Sequence, residues 1–322
     1  MASNIISLAG DFLPRLPKKW PYILGLVAAY YGVRELAPQL FEKKISGDVA
    51  VITGGGSGIG RLMAHRLAKE GCCVAIIDVN FQGAQQVADE CKALGVTARA
   101  YQCDVTKHEM VYEVAKRIEG DFGRADIIIN NAGIVDGNKL VDADDARMEL
   151  VLKVNTHAIL WVTKAFLPGM IKRDHGHVVI IASSAGRVGV PNMVAYNASK
   201  FGAVGAGEGI RLELQKMGTK IKCTTVCPMY ISTGMFEGAK LQPKFKFLEG
   251  IVNALFPILE PQYAADSTIQ AIKRNQELLV MPAMAYTTTI LQGLFPVSVT
   301  DKILDDLGVS SSMDHFKQTR PT

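Results

Sequence analysis

The stretch TGGGSGIG, residues 53–60, lies between the apolar run DVAVI and the helical pattern RLMAHRLAKEG. A glycine-rich loop between a buried strand and a helix leaves backbone N–H groups facing outward, where they can bind a diphosphate. The glycines at 54, 58 and 60 do not fit the G-x-G-x-x-G spacing of many dinucleotide sites. The stretch therefore predicts a phosphate-binding turn with its own spacing.

Six further apolar runs resemble the strand before this loop. Near-continuous Val and Ile runs are typical of strands that are buried on both faces of a parallel sheet. Helical stretches separate them, which indicates βαβ units. The pattern predicts an α/β, Rossmann-type doubly wound domain with a seven-stranded parallel sheet. The predicted strands are 48–53, 73–78, 98–102, 126–130, 177–183, 220–227 and 278–281.

Composition is that of a folded protein. The 322 residues are 48% hydrophobic and 20% charged, with a net charge of +4 and no long basic run, so we expect no nucleic-acid partner. The six cysteines lie largely in apolar runs without C-x-x-C or histidine at ligand spacing. We expect buried free thiols in a reducing compartment and no metal site.

The N-terminal segment, residues 1–45, differs from the rest. The apolar run at residues 20–33 follows Arg15, Lys18 and Lys19 and is bracketed by Trp and Tyr. As a helix it would span about 21 Å, which is short for a bilayer core of about 30 Å. The pattern favours an in-plane or hairpin membrane anchor. The alternative is a helix packed on the domain or on a partner subunit.

The remaining chain divides into a dehydrogenase-sized domain, 46–282, and an apolar C-terminal extension, 283–322, for which we expect helices. Residues 229–262 form an insertion after the sixth strand, at the edge of the sheet where ligands bind. Both the insertion and residues 283–299 are more apolar than a solvent-facing loop requires. They could wall a hydrophobic pocket, touch a membrane or cover the core.

Asp78 ends the second predicted strand. A carboxylate at this position can accept both hydroxyls of an adenosine ribose and repels a 2′-phosphate. Ser57 and Val79 supply no cation for such a phosphate, so the sequence favours NAD as the cofactor over NADP. The alternative role for Asp78 is to cap the following helix.

YNASK, residues 196–200, places Tyr196 and Lys200 on one face of a helix. A free tyrosine has a pKa of about 10, and a nearby ammonium together with a cationic nicotinamide ring would lower it. Ser183 ends the strand HVVIIAS and can point toward the same site. Alternatively, Tyr196 and Lys200 are an ordinary surface pair.

These motifs occur together in order with CDV (103–105), NNAG (130–133), KVNTHA (153–158) and CPMYIST (227–233). Jointly they resemble the classical short-chain dehydrogenases/reductases over about residues 46–282, a family whose T-G-x-x-x-G-x-G loop matches the spacing above. Met229 departs from the family, which usually has glycine after the proline, and this puts the local backbone in question.

The resemblance implies a set of roles. Asn155 would kink its helix and hold a proton-relay water, Ser183 would position the substrate oxygen, Tyr196 would be the acid/base, and Lys200 would lower its pKa and bind the nicotinamide ribose. The implied cofactor-binding residues are Gly54, Ser57, Gly58, Ile59, Gly60, Asp78, Asp104, Val105, Asn131, Ala132, Gly133, Tyr196, Lys200, Pro228, Ile231 and Thr233.

The N-terminal run, the segment 164–186 and the tail ending GVSSSMDHF resemble a membrane-associated branch of retinol and 17β-hydroxysteroid dehydrogenases. This implies NAD-dependent oxidation of a lipophilic alcohol at the endoplasmic reticulum or lipid droplets, with the catalytic domain facing the cytosol. It also implies a homodimer formed through helices near 146–172 and 193–217. The alternatives are a catalytically silent membrane scaffold and a soluble dehydrogenase of a small polar alcohol.

Overall fold

The computed structural model describes residues 42–316, so the predicted membrane anchor lies almost entirely outside the described residues. By its internal contacts the chain divides after Lys43, and the larger unit, Lys44–Thr322, contains the sheet. All seven strands are parallel, in the order β3-β2-β1-β4-β5-β6-β7. They are β1 (Val49–Thr53), β2 (Cys73–Asp78), β3 (Ala98–Gln102), β4 (Ile127–Asn130), β5 (His177–Ile181), β6 (Lys222–Pro228) and β7 (Leu278–Met281).

The predicted seven-stranded Rossmann-type sheet is confirmed. Strands β1, β4 and β5 are buried along their whole length, as expected for strands with a helix layer on each face. One apolar core lies between the sheet and helices α1, α2 and α8, and a second lies between the sheet and α3, α5 and α6. The helices are α1 (Gly58–Lys69), α2 (Phe81–Ala93), α3 (His108–Phe122), α4 (Asp145–Leu152), α5 (Ala158–Arg173), α6 (Val194–Lys216), α7 (Glu249–Leu255), α8 (Pro261–Lys273), α9 (Tyr286–Leu294) and α10 (Val297–Asp306).

The site is positioned by the reversal of strand order at β1. Strand β1 pairs with β2 on one side and with β4 on the other, so the connections leave in opposite directions and open a crevice at the carboxyl ends of the strands. The loops after β1, β4, β5 and β6 therefore converge there. The expected apolar C-terminal helices are α9 and α10.

Within residues 42–316, one helical stretch, Asp145–Arg173, is long and apolar enough to cross a membrane by length and composition. It comprises α4, a π-helical turn and α5. Its residues Ile159, Val162 and Phe166 are buried in the core beside the sheet. We therefore interpret it as a core helix.

Candidate active site

The crevice brings together nearly all the residues that the sequence singled out. Every predicted cofactor-binding residue lines one continuous cleft at the carboxyl ends of the strands, as do Ser183, Tyr196 and Lys200. Asn155 is fully buried and lies one layer behind the cleft wall.

The glycine loop is shaped by close backbone approach. Gly54 and Gly58 adopt left-handed φ angles of 62° and 56°, which favour glycine. A Cβ at Gly60 would overlap the carbonyl oxygen of Gly54, so glycine there lets α1 start directly against β1. The first turn, GIGR, contains no acid, and the Ser57 hydroxyl caps no backbone N–H in the described structure. The N-terminus of α1 thus fits the diphosphate of a dinucleotide.

The carboxylate of Asp78 is held at the edge of this loop. It accepts hydrogen bonds from Gly56 N at 2.9 Å and from Asn80 N at 3.0 Å. The cap of α2 is Asn80, whose side chain accepts from Gly83 N, so the alternative capping role for Asp78 is not seen. The nearby guanidinium of Arg61 is paired with Glu90 at 2.7 Å, which leaves the Asp78 carboxylate as the charge beside the loop.

The loop after β4 is tied to the glycine loop through Thr53 and Asn131. The buried Thr53 hydroxyl oxygen accepts from Asn131 N at 3.0 Å and from Ala132 N at 3.1 Å. The Asn131 amide donates to the carbonyl oxygens of Thr53 and Gly54 at 2.9 and 3.0 Å. These four bonds hold the two loops against each other and so fix the position of the cleft wall. Thr53 was missed at the sequence level, since its role requires knowing that β1 and β4 are neighbours.

Asn155 lies in a π-helical turn, Lys153–His157, between α4 and α5. Such turns are frequent at functional sites; the helical stretch continues through this turn from Asp145 to Arg173, and the kink expected at Asn155 stays a prediction. The Asn155 amide accepts from Ile134 N and donates to Ile134 O, both at 2.9 Å, and donates to Ser199 Oγ at 3.0 Å. It therefore couples the loop after β4 to α6, which carries Tyr196. Ser199 was also missed at the sequence level.

Tyr196 and Lys200 occupy the buried face of α6 and are 3% and 4% exposed, so they are not an ordinary surface pair. The Lys200 ammonium donates to Ile181 O at 2.9 Å and lies 5.6 Å from the centroid of the Tyr196 ring. Ser183 and Tyr196 line the same cleft, and the Ser183 side chain favours a lower pKa of the Tyr196 hydroxyl. Ser183 follows β5 by two residues and caps the turn Ser184–Gly186; its hydroxyl oxygen accepts from Ala185 N at 3.1 Å.

Burial dominates the pKa values of Tyr196 and Lys200 in the chain by itself. Burial raises the pKa of the Tyr196 hydroxyl above its usual range, and the Ser183 side chain opposes this only in part. Burial also lowers the pKa of Lys200 to about 8. Both shifts favour the neutral groups, because burial penalises the charged phenolate and the charged ammonium.

The loop after β6 completes the cleft. Pro228 ends β6, and Ile231 pairs with Leu259 of the insertion, while Thr233 also borders the cleft. Met229 N donates to Met281 O at 2.8 Å, and Met229 has no left-handed φ. The departure from glycine therefore leaves the backbone unstrained.

A second, apolar pocket with a cavity volume of about 60 Å³ opens beside Ser183 and Tyr196. Most of its wall consists of aliphatic and aromatic side chains, with few polar groups apart from the hydroxyls of Ser183 and Tyr196. The wall includes residues of the insertion and of the C-terminal helices, so both regions cover the site, as one of the three sequence-based alternatives expected. The apolar lining residues are Val188, Val190, Met193, Met229, Phe236, Leu241, Phe256, Leu304, Leu307 and Val309.

Comparison with known proteins agrees with this geometry. Residues 48–244 match the family model described as short chain dehydrogenase. Human epidermal retinol dehydrogenase 2 is 41% identical over 277 residues, covering 85% of this chain and 87% of the relative. Estradiol 17-beta-dehydrogenase 11 of Macaca fascicularis is 36% identical over 256 residues, covering 79% and 81%.

Two solved structures are also similar. A short-chain dehydrogenase/reductase from Burkholderia phymatum in complex with NAD has a TM-score of 0.69 and 26% identity, covering 87% of this chain and 99% of its own. A metagenomic short-chain oxidoreductase in complex with NADP has a TM-score of 0.61 and 26% identity, covering 74% and 98%. The chain therefore belongs to the short-chain dehydrogenase/reductase family, in the branch of the retinol and 17β-hydroxysteroid dehydrogenases, and is an NAD(P)-dependent alcohol oxidoreductase.

Proposed function

We propose that this enzyme oxidises a lipophilic alcohol, retinol-like or 17β-hydroxysteroid-like, to the carbonyl with NAD. The observation that carries the proposal is the apolar pocket in which the hydroxyls of Ser183 and Tyr196 are among the few polar groups. A substrate with one hydroxyl on a large apolar body matches that distribution. The names of the relatives, retinol and estradiol dehydrogenases, support the same substrate class.

Each polar residue of the site has a separate role in the reaction. Ser183 donates a hydrogen bond to the substrate oxygen, and the Tyr196 oxygen takes the hydroxyl proton. Lys200, held by Ile181 O at 2.9 Å, orients the nicotinamide ribose and stabilises the phenolate. A bound oxidised nicotinamide dinucleotide supplies the hydride acceptor and a positive charge that offsets the effect of burial on the pKa of Tyr196. Asn155 positions α6 through its bonds to Ile134 and Ser199, and a relay water held at its turn would carry the proton away.

The choice of NAD rests on Asp78. Its carboxylate is fixed by two backbone N–H groups, so it can accept the ribose hydroxyls and repel a 2′-phosphate. The N-terminus of α1 and the glycine contacts above provide room and donors for the diphosphate.

Tyr196→Phe tests the mechanism. It removes only the hydroxyl, so NADH formation should fall below 1% of wild type, by analogy with the roughly 10²–10⁴-fold contribution of acid–base groups. NADH binding, followed by its fluorescence, should be unchanged.

The substrates are all-trans-retinol, estradiol, long-chain alcohols and small polar alcohols in liposomes. Turnover retained in Tyr196→Phe would refute the mechanism, turnover of small polar alcohols alone would refute the substrate class, and NADH binding without any turnover would favour the scaffold alternative.

We further propose that the enzyme docks on a lipid surface, at the endoplasmic reticulum or lipid droplets, with its catalytic domain in the cytosol. Helix α9 has no buried residue in the described structure, and Leu294 and Val297 are 72% and 73% exposed. No charged residue occurs between Glu277 and Asp301. The exposed Phe245 and Phe247 alternate with lysines in KFKF, a composition suited to an anionic lipid interface. Flotation with phosphatidylserine liposomes should be weakened by Leu294→Asp.

A homodimer is the last element of the proposal. The outer faces of the predicted contact helices expose apolar side chains, among them Leu160 on α5 and Phe201 and Leu212 on α6. Apolar groups at such positions are suited to self-association. Light scattering in detergent should give twice the monomer mass, and Phe201→Lys should reduce it.

A further inference from the structure

The end of the chain runs back along the 229–262 insertion. We name residues 304–316 the C-terminal strap. Its residues pair with the insertion through backbone hydrogen bonds from the N–H groups of Lys240, Gln242 and Lys244 to the carbonyl oxygens of Ser312, Gly308 and Asp306, at 3.0, 3.3 and 3.2 Å. The strap is therefore attached along its length to the segment that covers the site.

A buried side-chain bond fastens the strap to the pocket wall. Ser312 is fully buried, and its hydroxyl oxygen accepts from the Tyr230 hydroxyl at 2.9 Å. Ser312 in turn donates to Val309 O at 2.7 Å. Tyr230 lines the apolar pocket and packs edge-on against Phe236, as Tyr196 does. The strap is thus connected to the acid/base, Tyr196, through the packed rings of Tyr230 and Phe236.

The end of the strap packs closely against two glycines. Gly137 and Gly238 have left-handed φ angles of 80° and 82°. A Cβ at Gly137 would overlap the ring of Phe316, and a Cβ at Gly238 would overlap the carbonyl oxygen of His315. The strap therefore lies at backbone contact distance, and Phe316 borders the cofactor cleft.

The strap also supplies wall to the apolar pocket. Leu304, Leu307 and Val309 line it together with Ser183 and Tyr196, whereas the glycine loop does not take part. We propose that the C-terminal strap is a wall of the substrate site and that Leu307 is a specificity-determining residue for the apolar body of the alcohol. This rests on the proposed function, since it assumes that the alcohol reacts at Tyr196.

The size of the effect follows from how apolar pockets discriminate. One methylene in such a pocket changes kcat/KM by roughly 10–200-fold. Leu307→Phe adds bulk where the body of a large alcohol would lie, and Leu307→Val removes a methylene contact. A short alcohol with the same reacting end does not extend to this wall.

The test compares all-trans-retinol with 3-methyl-2-buten-1-ol, which share the allylic alcohol end, using the full-length enzyme in liposomes. Leu307→Phe should lower kcat/KM for retinol about 10-fold or more, and Leu307→Val at least about threefold. Both variants should leave the value for the short alcohol within about twofold. Leu94→Phe, at a surface position that is 42% exposed, is the matched control. Equal changes for both alcohols, or changes no larger than those of Leu94→Phe, would overturn the proposal.

A binding measurement separates this proposal from the proposed function. Retinol binding can be followed by the fluorescence of retinol itself, without turnover. Weaker binding in Leu307→Phe and in Ser312→Ala, with unchanged NADH binding, supports the strap as a wall even if no alcohol is oxidised. Unchanged retinol binding in both variants would contradict it. A purely structural strap would lower only the melting temperature in Ser312→Ala.

Discussion

Replacing Asp78 by Asn should remove the preference for NAD. The carboxylate oxygens lie 2.9 and 3.0 Å from Gly56 N and Asn80 N, so they are oriented before any ligand arrives. Asn is isosteric but keeps an acceptor oxygen for only one of these two N–H groups, because Gly56 N bonds to Oδ2 and Asn80 N to Oδ1. The bonds from the Asn131 amide to the carbonyl oxygens of Thr53 and Gly54 remain. The loop should therefore persist while the charge is lost.

The magnitude follows from two contributions. A hydrogen bond to a charged group contributes about 1.5–3 kcal/mol, and Asp78 is partly exposed, so the lower end applies to the one ribose bond that Asn loses. That corresponds to about 10-fold weaker NAD binding. The charge repulsion removed for a 2′-phosphate is about 1–4 kcal/mol at 4 Å near a protein surface, which gives at least about fivefold tighter NADP binding. Together these two effects should lower the affinity for NAD relative to NADP by about 50-fold or more.

The assay is the ratio of kcat/KM for NAD and NADP with a single alcohol, together with fluorescence titration of NADH and NADPH. Asp89→Asn makes the same charge change on the exposed surface of α2 and should leave the ratio within about twofold. A wild-type enzyme that is faster with NADP would refute the reasoning. So would an Asp78→Asn ratio equal to that of the control.

Two further predictions concern stability. Thr53→Val removes the acceptor of Asn131 N and Ala132 N. It should lower the free energy of unfolding by about 2–6 kcal/mol in urea titration, since each of the two unpaired N–H groups costs about 1–3 kcal/mol. Thr53→Ser should be near wild type, and equal stability of both variants would contradict the role. Burial lowers the pKa of Lys200 from 10.5 to about 8, so between those values the unfolded chain binds more protons and folding stability rises with pH. The unfolding free energy of wild type should therefore rise relative to Lys200→Met by about 3 kcal/mol across that window, and a difference that does not vary with pH would contradict the shift.

Local patterns predicted the sheet because buried parallel strands leave a strong signal. The run CVAIID was predicted as residues 73–78, and β2 has these bounds. Where the signal weakens, the bounds shift: KIKCTTVC was predicted from residue 220, whereas β6 begins at Lys222. Lys220 instead donates its N–H to Asp174, a contact that the local sequence cannot show.

The candidate site likewise contains residues that local patterns predicted and residues that only the tertiary structure revealed. The glycine loop, Asp78 and Tyr196 with Lys200 were predicted because each has a local spacing with a chemical reason. Thr53, Ser199 and the Ile181 carbonyl were missed because their roles come from partners on other elements. The burial that raises the pKa of Tyr196 could not be read from the sequence, since it depends on how completely the insertion and α6 enclose the ring; the lowered pKa expected beside a bound nicotinamide ring stays a prediction.

The sequence by itself determined the fold class and the chemistry at the carboxyl ends of the strands. The period of the apolar residues, the glycine spacing and the Y-x-x-x-K pair are local signals that extend over a few residues. Regular strand and helix geometry then places these residues relative to one another. Only the tertiary structure decided the shape of the substrate pocket. Its walls combine the loop after β5, the insertion and the C-terminal strap. These segments are far apart in the chain, and their apolar residues have no period that fixes their partners. Packing and long-range hydrogen bonds select those partners, so the pocket exists only once the chain has folded.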